Sequence, residues 1–249
     1  MIKLERISPP KELTADKVAK FTKQYQEKDT AVWQKSYIKE RLLEMSYDKC
    51  AYCECELQIA AAYVEIEHFL PKKHFSEKVM EWENLLPSCK RCNGLKHDKI
   101  IPIIEPTKIE PKEHLLFNLK TFSSNTDLGK QTIAVLKLNH SRLKKPRNKL
   151  RFNIIKDLEM MFSFAEVLEN APDNNKAKSN LYKFLKSWLE EVQPTEEYCA
   201  VKTSILFTEK QDNQTTYYQN IKTKMQALDI WKEELTNLEN EAKKYVLKK

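Results

Sequence analysis

Two Cys-x-x-Cys pairs, Cys50 with Cys53 and Cys89 with Cys92, constrain this chain more than any other feature of it. Each pair can turn tightly round one tetrahedral ion while the residues between them loop out, which is the spacing of a four-thiolate zinc site. Four thiolates leave no open position, so a zinc held this way is structural. Cys55 and Cys199 stand outside the pairs. C-x-C spacing is less usual at zinc, and both read as small buried apolar residues. The opening MIKLERISPPKEL lacks the apolar centre of a signal peptide, and no apolar run approaches the roughly twenty residues that cross a bilayer. The expectation is a cytoplasmic chain whose thiols stay reduced and available to a metal.

Around the cysteine module the apolar spacing is mostly helical. Residues 1–48 read as an N-terminal helical segment: an extended lead-in to Pro9-Pro10, a helix with Val18, Phe21 and Tyr25 on one face, a break near Asp29, and a second helix carrying Trp33, Ile38, Leu42 and Met45. All of these read as core. Residues 49–101 form the cysteine module. Within it, 62–68 alternate as a strand stopped by Pro71, and 90–100 read as a short helix. The proline-spaced stretch 102–111 marks the boundary to a C-terminal helical domain, 102–249. There, 117–124 is strand or loop, Leu150, Ile154, Leu158, Met161 and Ala165 make an amphipathic helix, and 176–191 is another. Residues 199–207 are strand or buried helix, which periodicity does not separate. Ile221, Met225, Leu228, Trp231, Leu235, Leu238, Ala242 and Tyr245 recur at three- and four-residue steps, predicting one long helix with a coiled-coil-like seam that packs on its own domain or on a partner.

The chemistry lies between and just after the cysteine pairs. His68 can act as a general base near neutral pH. Glu67, Asn93 and His97 offer two oxygens and a nitrogen to a divalent ion, a mixed set that suits Mg2+ or Mn2+. Asn93 and His97 are four apart, so on a helix they share a face. Glu67 and His68 are neighbours and on a regular strand point to opposite faces, so both serve one site only if the strand ends at Glu67. Asn84 fits a turn residue or a clamp across the loop. His74, His114 and His140 lack partners in sequence and read as surface residues.

Charge and glycine narrow the partners. The chain carries a formal +7, and residues 137–151 hold seven Lys and Arg with no acid. That strip, with Arg142, Lys144, Lys145 and Arg147, suits phosphate better than a solvated face of mixed sign. With only Gly94 and Gly129 present, neither a P-loop nor a dinucleotide fingerprint can exist, so any nucleotide-driven step needs a separate subunit.

At Cys50-x-x-Cys53, Glu67-His68 with Pro71, Trp82-x-Asn84-Leu85 and Cys89-x-x-Cys92-Asn93-x-x-Lys96, the sequence resembles the HNH nucleases, whose ββα-metal fold grips one catalytic ion. More narrowly, CAYCE, IEHFLPK, the NL-P-C segment and LKLNHSRL resemble the HNH proteins of retron and Septu anti-phage systems. Asparagine at position 93, where the last letter of HNH is often histidine, makes this an HNN variant. The resemblance implies a mainly α chain with an embedded ββα-metal module. It also implies His68 as base, Asn84 as loop clamp, Glu67, Asn93 and His97 as metal side chains, and Lys96 as a phosphate contact. Its implied partners are an ABC-type ATPase subunit (PtuA-like), a nucleic-acid substrate, DNA or RNA, and in retrons a reverse transcriptase with its RNA/DNA product, with no membrane. The competing reading is a zinc-stabilised nucleic-acid- or protein-binding module without catalysis, which gives Glu67, His68 and Asn93 no common role.

Overall fold

A short antiparallel hairpin and the helix after it form the centre of one of two compact units. The computed structural model describes residues 1–57 and 64–247. One unit is Met1–His114 with Ser124–Leu138, and the other is Leu115–Ser123 with Asn139–Lys249. The N-terminal helical segment thus shares a unit with the cysteine module. Among the described residues no helix is long and apolar enough to cross a membrane.

In the first unit, α1 (Ala15–Lys28) starts where the Thr14 hydroxyl accepts from Lys17 N–H, and it ends at Asp29, whose left-handed backbone (φ 48°) turns the chain. α2 (Ser36–Ser46) follows, burying Ile38, Leu42, Leu43 and Met45. Trp33 precedes this helix rather than belonging to it. β1 (Val64–His68) pairs antiparallel with β2 (Leu85–Cys89), Val64 opposite Cys89 and His68 opposite Leu85. Ala62 and Tyr63, the first residues of the predicted strand, lie outside the described residues. The ladder runs through His68, opposite Leu85, and does not end at Glu67 as expected for a shared Glu67–His68 site. β2 carries Pro87, whose missing N–H sits where Ala51 N–H instead donates to the Pro87 carbonyl at 2.9 Å. β2 leads directly into α3 (Lys90–Lys96), shorter than predicted because the chain turns out of the helix at His97, φ 48° and ψ −132°.

Beyond the hairpin, β3 (Leu116–Asn118) and β4 (Thr121–Ser123) make a small second hairpin, part of the other unit, and α4 (Asp127–Val135) returns to the first. Gly129 is required there: a Cβ would come within 2.2 Å of the His114 carbonyl oxygen. His114 is no free surface residue, since its Nδ1 is 3.0 Å from Thr126 Oγ1.

Apart from the β3–β4 hairpin the second unit is helical. α5 (Ser141–Asn170) absorbs the basic strip into its first turns, with His140 accepting from Arg142 N–H at its start. α6 (Asn175–Glu191), α7 (Cys199–Thr208), α8 (Tyr217–Ala227) and α9 (Glu233–Lys243) complete the unit. α7 is buried on every side from Cys199 to Leu206, which is why its periodicity was uninformative. The predicted long C-terminal helix is two helices: the chain breaks at Leu228–Ile230, where Asp229 takes φ 57°. Its seam is not a free face, because Ile221, Met225, Leu235 and Ala242 are all buried, with α8 packed on α5 and α9 on α6. Four large apolar residues of α5, Phe152, Met160, Phe164 and Val167, are exposed, as are Tyr47, Ile100, Ile101 and Leu119 elsewhere.

Candidate active site

The four paired cysteines converge. Their sulfurs all lie within 4.8 Å of one another, and Cys53 Sγ is 3.8 Å from Cys89 Sγ, close to the edge of a tetrahedron built on Zn–S bonds of about 2.3 Å. Among the described residues they are the one group of acids, histidines and cysteines whose ligand atoms gather so closely. Two local structures present them. At Cys50–Cys53 a turn closes through Glu54 N–H to the Cys50 carbonyl, and at Cys89 the sulfur caps α3 by accepting from Cys92 N–H at 3.4 Å. A helix N-terminus favours a thiolate there. Cys55 Sγ lies 3.4 Å from Cys53 Sγ, at the edge of the cluster but outside it. Cys199 is buried in α7 with its thiol on the Val192 carbonyl.

Beside this cluster lies a cleft of about 750 Å³, lined by Glu67 and His68 from the end of β1 and by Asn93 and His97 from α3 and its C-terminus. The loop joining β1 to β2 is tied across by Asn84. Its Oδ1 accepts from Leu70 N–H at 2.7 Å, and its Nδ2 donates to the carbonyls of Leu70 (3.0 Å) and Lys78 (3.1 Å). The same loop brings the Val79 carbonyl 3.0 Å from His68 Nε2. A carbonyl only accepts, so Nε2 carries the proton and Nδ1 keeps the lone pair. Burial, the largest influence, and the charges of Lys72 and Lys96 push His68 down to about 4 against the smaller opposing pull of the Val79 bond, which keeps the ring neutral at working pH.

Glu67 is equally buried, and that burial pushes its carboxyl up to about 7 although Lys96 pulls the other way. Its Oε1 stands 2.7 Å from Lys96 Nζ but out of line for a hydrogen bond, so this buried oxygen has a charge partner and no donor. Here one expectation is corrected: Lys96, the supposed phosphate contact, is only 2% exposed. It points inward from the last turn of α3, donating to the His68 carbonyl at 2.8 Å as well as facing Glu67. A second correction concerns His97. The helix ends at Lys96, so Asn93 and His97 do not share a helical face. His97 is 70% exposed, with Nδ1 held 2.6 Å from Asp98 and Nε2 left as the ligand nitrogen. A non-glycine residue with such a backbone is uncommon, and strained backbone of this kind clusters at functional sites. A third concerns Arg147, 1% exposed and stacked 4.5 Å over Phe122, hence not part of an accessible basic strip.

Two site residues were not legible in advance. Tyr25 and Trp33, read as core, line the cleft from the N-terminal segment, and Trp33 meets His68 edge to face at 5.0 Å. Apolar periodicity marks both as buried and says nothing about which buried neighbour they touch.

The buried pair makes a checkable prediction. Replacing Lys96 by Met leaves Glu67 without its cation, and breaking a buried pair from one side costs about 3–5 kcal/mol. Denaturant unfolding of the zinc-loaded chain should show that loss, smaller at mildly acidic pH, where a protonated Glu67 needs no cation, and largely recovered in the double variant Lys96→Met, Glu67→Gln.

A ββα unit with clustered cysteines on its flank and a histidine closing its first strand is the frame of an HNH endonuclease, and the family model of that description, HNH endonuclease, matches residues 50–99. The chain as a whole belongs to the family of the Septu protein PtuB. It is 38% identical over 252 residues to the Septu protein PtuB of Bacillus thuringiensis, covering 99% of this chain and 95% of that one. It is 27% identical over 267 residues to the Septu protein PtuB of Bacillus mycoides (strain KBAB4), covering 82% and 89%.

Proposed function

We propose that this nuclease is the effector of a cytoplasmic anti-phage defence complex, hydrolysing phosphodiester bonds of DNA or RNA with a divalent ion and under the control of an ABC-type ATPase partner. The observation that carries this reading is the meeting of His68, Glu67, Asn93 and His97 at one cleft, with the tautomer of His68 set by the Val79 carbonyl. His68 Nδ1 takes a proton from water, the resulting hydroxide attacks phosphorus, and the P–O bond to the leaving oxygen breaks, that oxygen gaining a proton from solvent. Asn84 and Lys96 act behind the site, the first holding the loop that carries Val79, the second holding the backbone of His68 and the side chain of Glu67.

The donor set fits Mg2+ or Mn2+: a buried carboxylate oxygen with no hydrogen bond, a half-buried amide and an exposed imidazole with Nε2 free. Such an ion would neutralise charge on the phosphate and the leaving oxygen. Arg142, Lys144 and Lys145, at least partly exposed at the start of α5 in the second unit, are a phosphate-contacting strip of their own, without Arg147. In a retron setting the reverse transcriptase and its RNA/DNA product would join the complex. Purified chain, alone and with an ABC-type ATPase partner, should nick plasmid or cut RNA with added Mg2+ or Mn2+ and stop with chelator. Failure to cut either substrate with the partner present would leave the non-catalytic binding module.

For the partner, the apolar surface of α5 replaces the buried C-terminal seam. Phe164→Glu with Val167→Glu should abolish co-purification with the ATPase while zinc content and helicity stay at parent values, since a charge in an apolar contact is desolvated without a mate. Undiminished co-purification would show that docking lies elsewhere.

A further inference from the structure

We propose that Lys72 is the cation that meets the scissile phosphate in this cleft, and that Trp33 of the N-terminal segment is the shelf that holds it there. This rests on the nuclease reading above. Three lysines stand at or behind the cleft, and two are already engaged. Lys96 faces inward to Glu67 and the His68 carbonyl. Lys73 is paired with Asp98 at 3.1 Å. Lys72 makes no ion pair among the described residues, and its ammonium stands 4.8 Å above the Trp33 ring.

That shelf is itself braced. Trp33 is met edge to face by Tyr25 at 5.7 Å and by His68 at 5.0 Å, so the ring that carries the cation also touches the base. The backbone beneath Lys72 is also fixed, because the Pro71 carbonyl accepts from His74 N–H (2.9 Å) and Phe75 N–H (3.0 Å), closing the turn that Lys72 begins. A phosphodiester arriving beside His68 brings a full negative charge to a place where a half-buried, unpaired ammonium has been kept over an aromatic face. An aromatic face holds a cation without neutralising it, which a carboxylate would do. Trp33 lies outside the segment that matches the HNH family model, so on this reading the N-terminal helical segment completes the site.

The test is the salt dependence of nucleic-acid binding by the full chain, using a labelled DNA duplex and the corresponding single-stranded RNA without added Mg2+ or Mn2+, with cleavage measured in parallel once the ion is added. Each phosphate neutralised contributes about 0.9 to the slope of log K against log salt on duplex DNA and about 0.7 on a single strand. Lys72→Met should flatten the slope by about that amount and lower kcat/KM, Lys72→Arg should restore both, Trp33→Ala should imitate Lys72→Met, and Trp33→Phe should stay near the parent. Lys73→Met should leave the slope unchanged. A parent slope in Lys72→Met, or no recovery in Lys72→Arg, overturns the assignment while leaving the nuclease reading intact. A parent chain that neither binds nor cleaves either probe, alone or with the ATPase partner present, overturns both.

Discussion

Stripping the metal that the four-cysteine cluster would hold, or substituting Cys89 by Ser, is expected to unfold the hairpin module and to leave the second unit helical. The module is poorly equipped to stand without a cross-link. Its sheet is two strands of five residues, and a two-stranded sheet is marginal in water by itself. Its two cysteine turns lie on separate stretches of chain, one before β1 and one at the junction of β2 and α3, so the ion closes a long loop as well as filling four valences. Structural zinc of this kind contributes about 10–16 kcal/mol in small modules at neutral pH, far more than a domain's net stability. The second unit has its own core, from Ile154 and Leu158 of α5 through α7 to Leu235 of α9, and should survive. Metal analysis should find about one tightly held zinc per chain, and circular dichroism of the stripped protein should lose part of its helix signal. Soluble, fully folded protein containing no zinc would contradict this.

His68→Ala should reduce cleavage by about 10²- to 10⁴-fold, the contribution of a positioned general base, while zinc content stays unchanged. Two neighbours make the effect specific to chemistry. The Val79 carbonyl and Lys96 each hold part of the His68 residue through the ring or the backbone, and the backbone bond is kept in the variant. No zinc ligand is touched, since the cluster is built from Cys50, Cys53, Cys89 and Cys92. Because His68 is held neutral down to about pH 4 by burial, its protonation should not cut the rate between neutral and mildly acidic pH; a fall there belongs to another group, such as Glu67. A variant that cuts at the parent's rate would make His68 a buried core histidine and no more.

What could be read in advance divides along a physical line. The cysteine spacing announced the cluster because a metal site imposes its geometry on sequence positions directly. Helices with one apolar stripe, such as α1 and α6, were legible because each buries one face. α7 was not, since it buries all faces, nor was the break between α8 and α9, because both helices turn their apolar sides to the same core and the three- and four-residue steps run on across Asp229. Charge misled in a consistent way. Lys96 and Arg147 look like solvent or phosphate contacts in sequence, yet each finds a long-range partner, Glu67 for one and the face of Phe122 for the other, that only the fold supplies. The shared helical face expected for Asn93 and His97 is absent for a local reason: the helix that would have aligned them ends at Lys96. Trp33 and Lys72 carry no motif of their own, and only their shared contact with the His68 neighbourhood marks them.

The central claim is that the cleft at the end of β1 cuts nucleic acid with His68 as base, and the most direct measurement is a paired time course. Parent and His68→Ala chains, each supplied with zinc and each assembled with the proposed ATPase partner, are given plasmid DNA and a pool of RNA with Mn2+ or Mg2+, and the ends are mapped. Cleavage by the parent that stops with chelator and falls by about 10²-fold or more in His68→Ala is the predicted result. Equal cleavage by the two proteins, or none by the parent in the assembled complex, would contradict it.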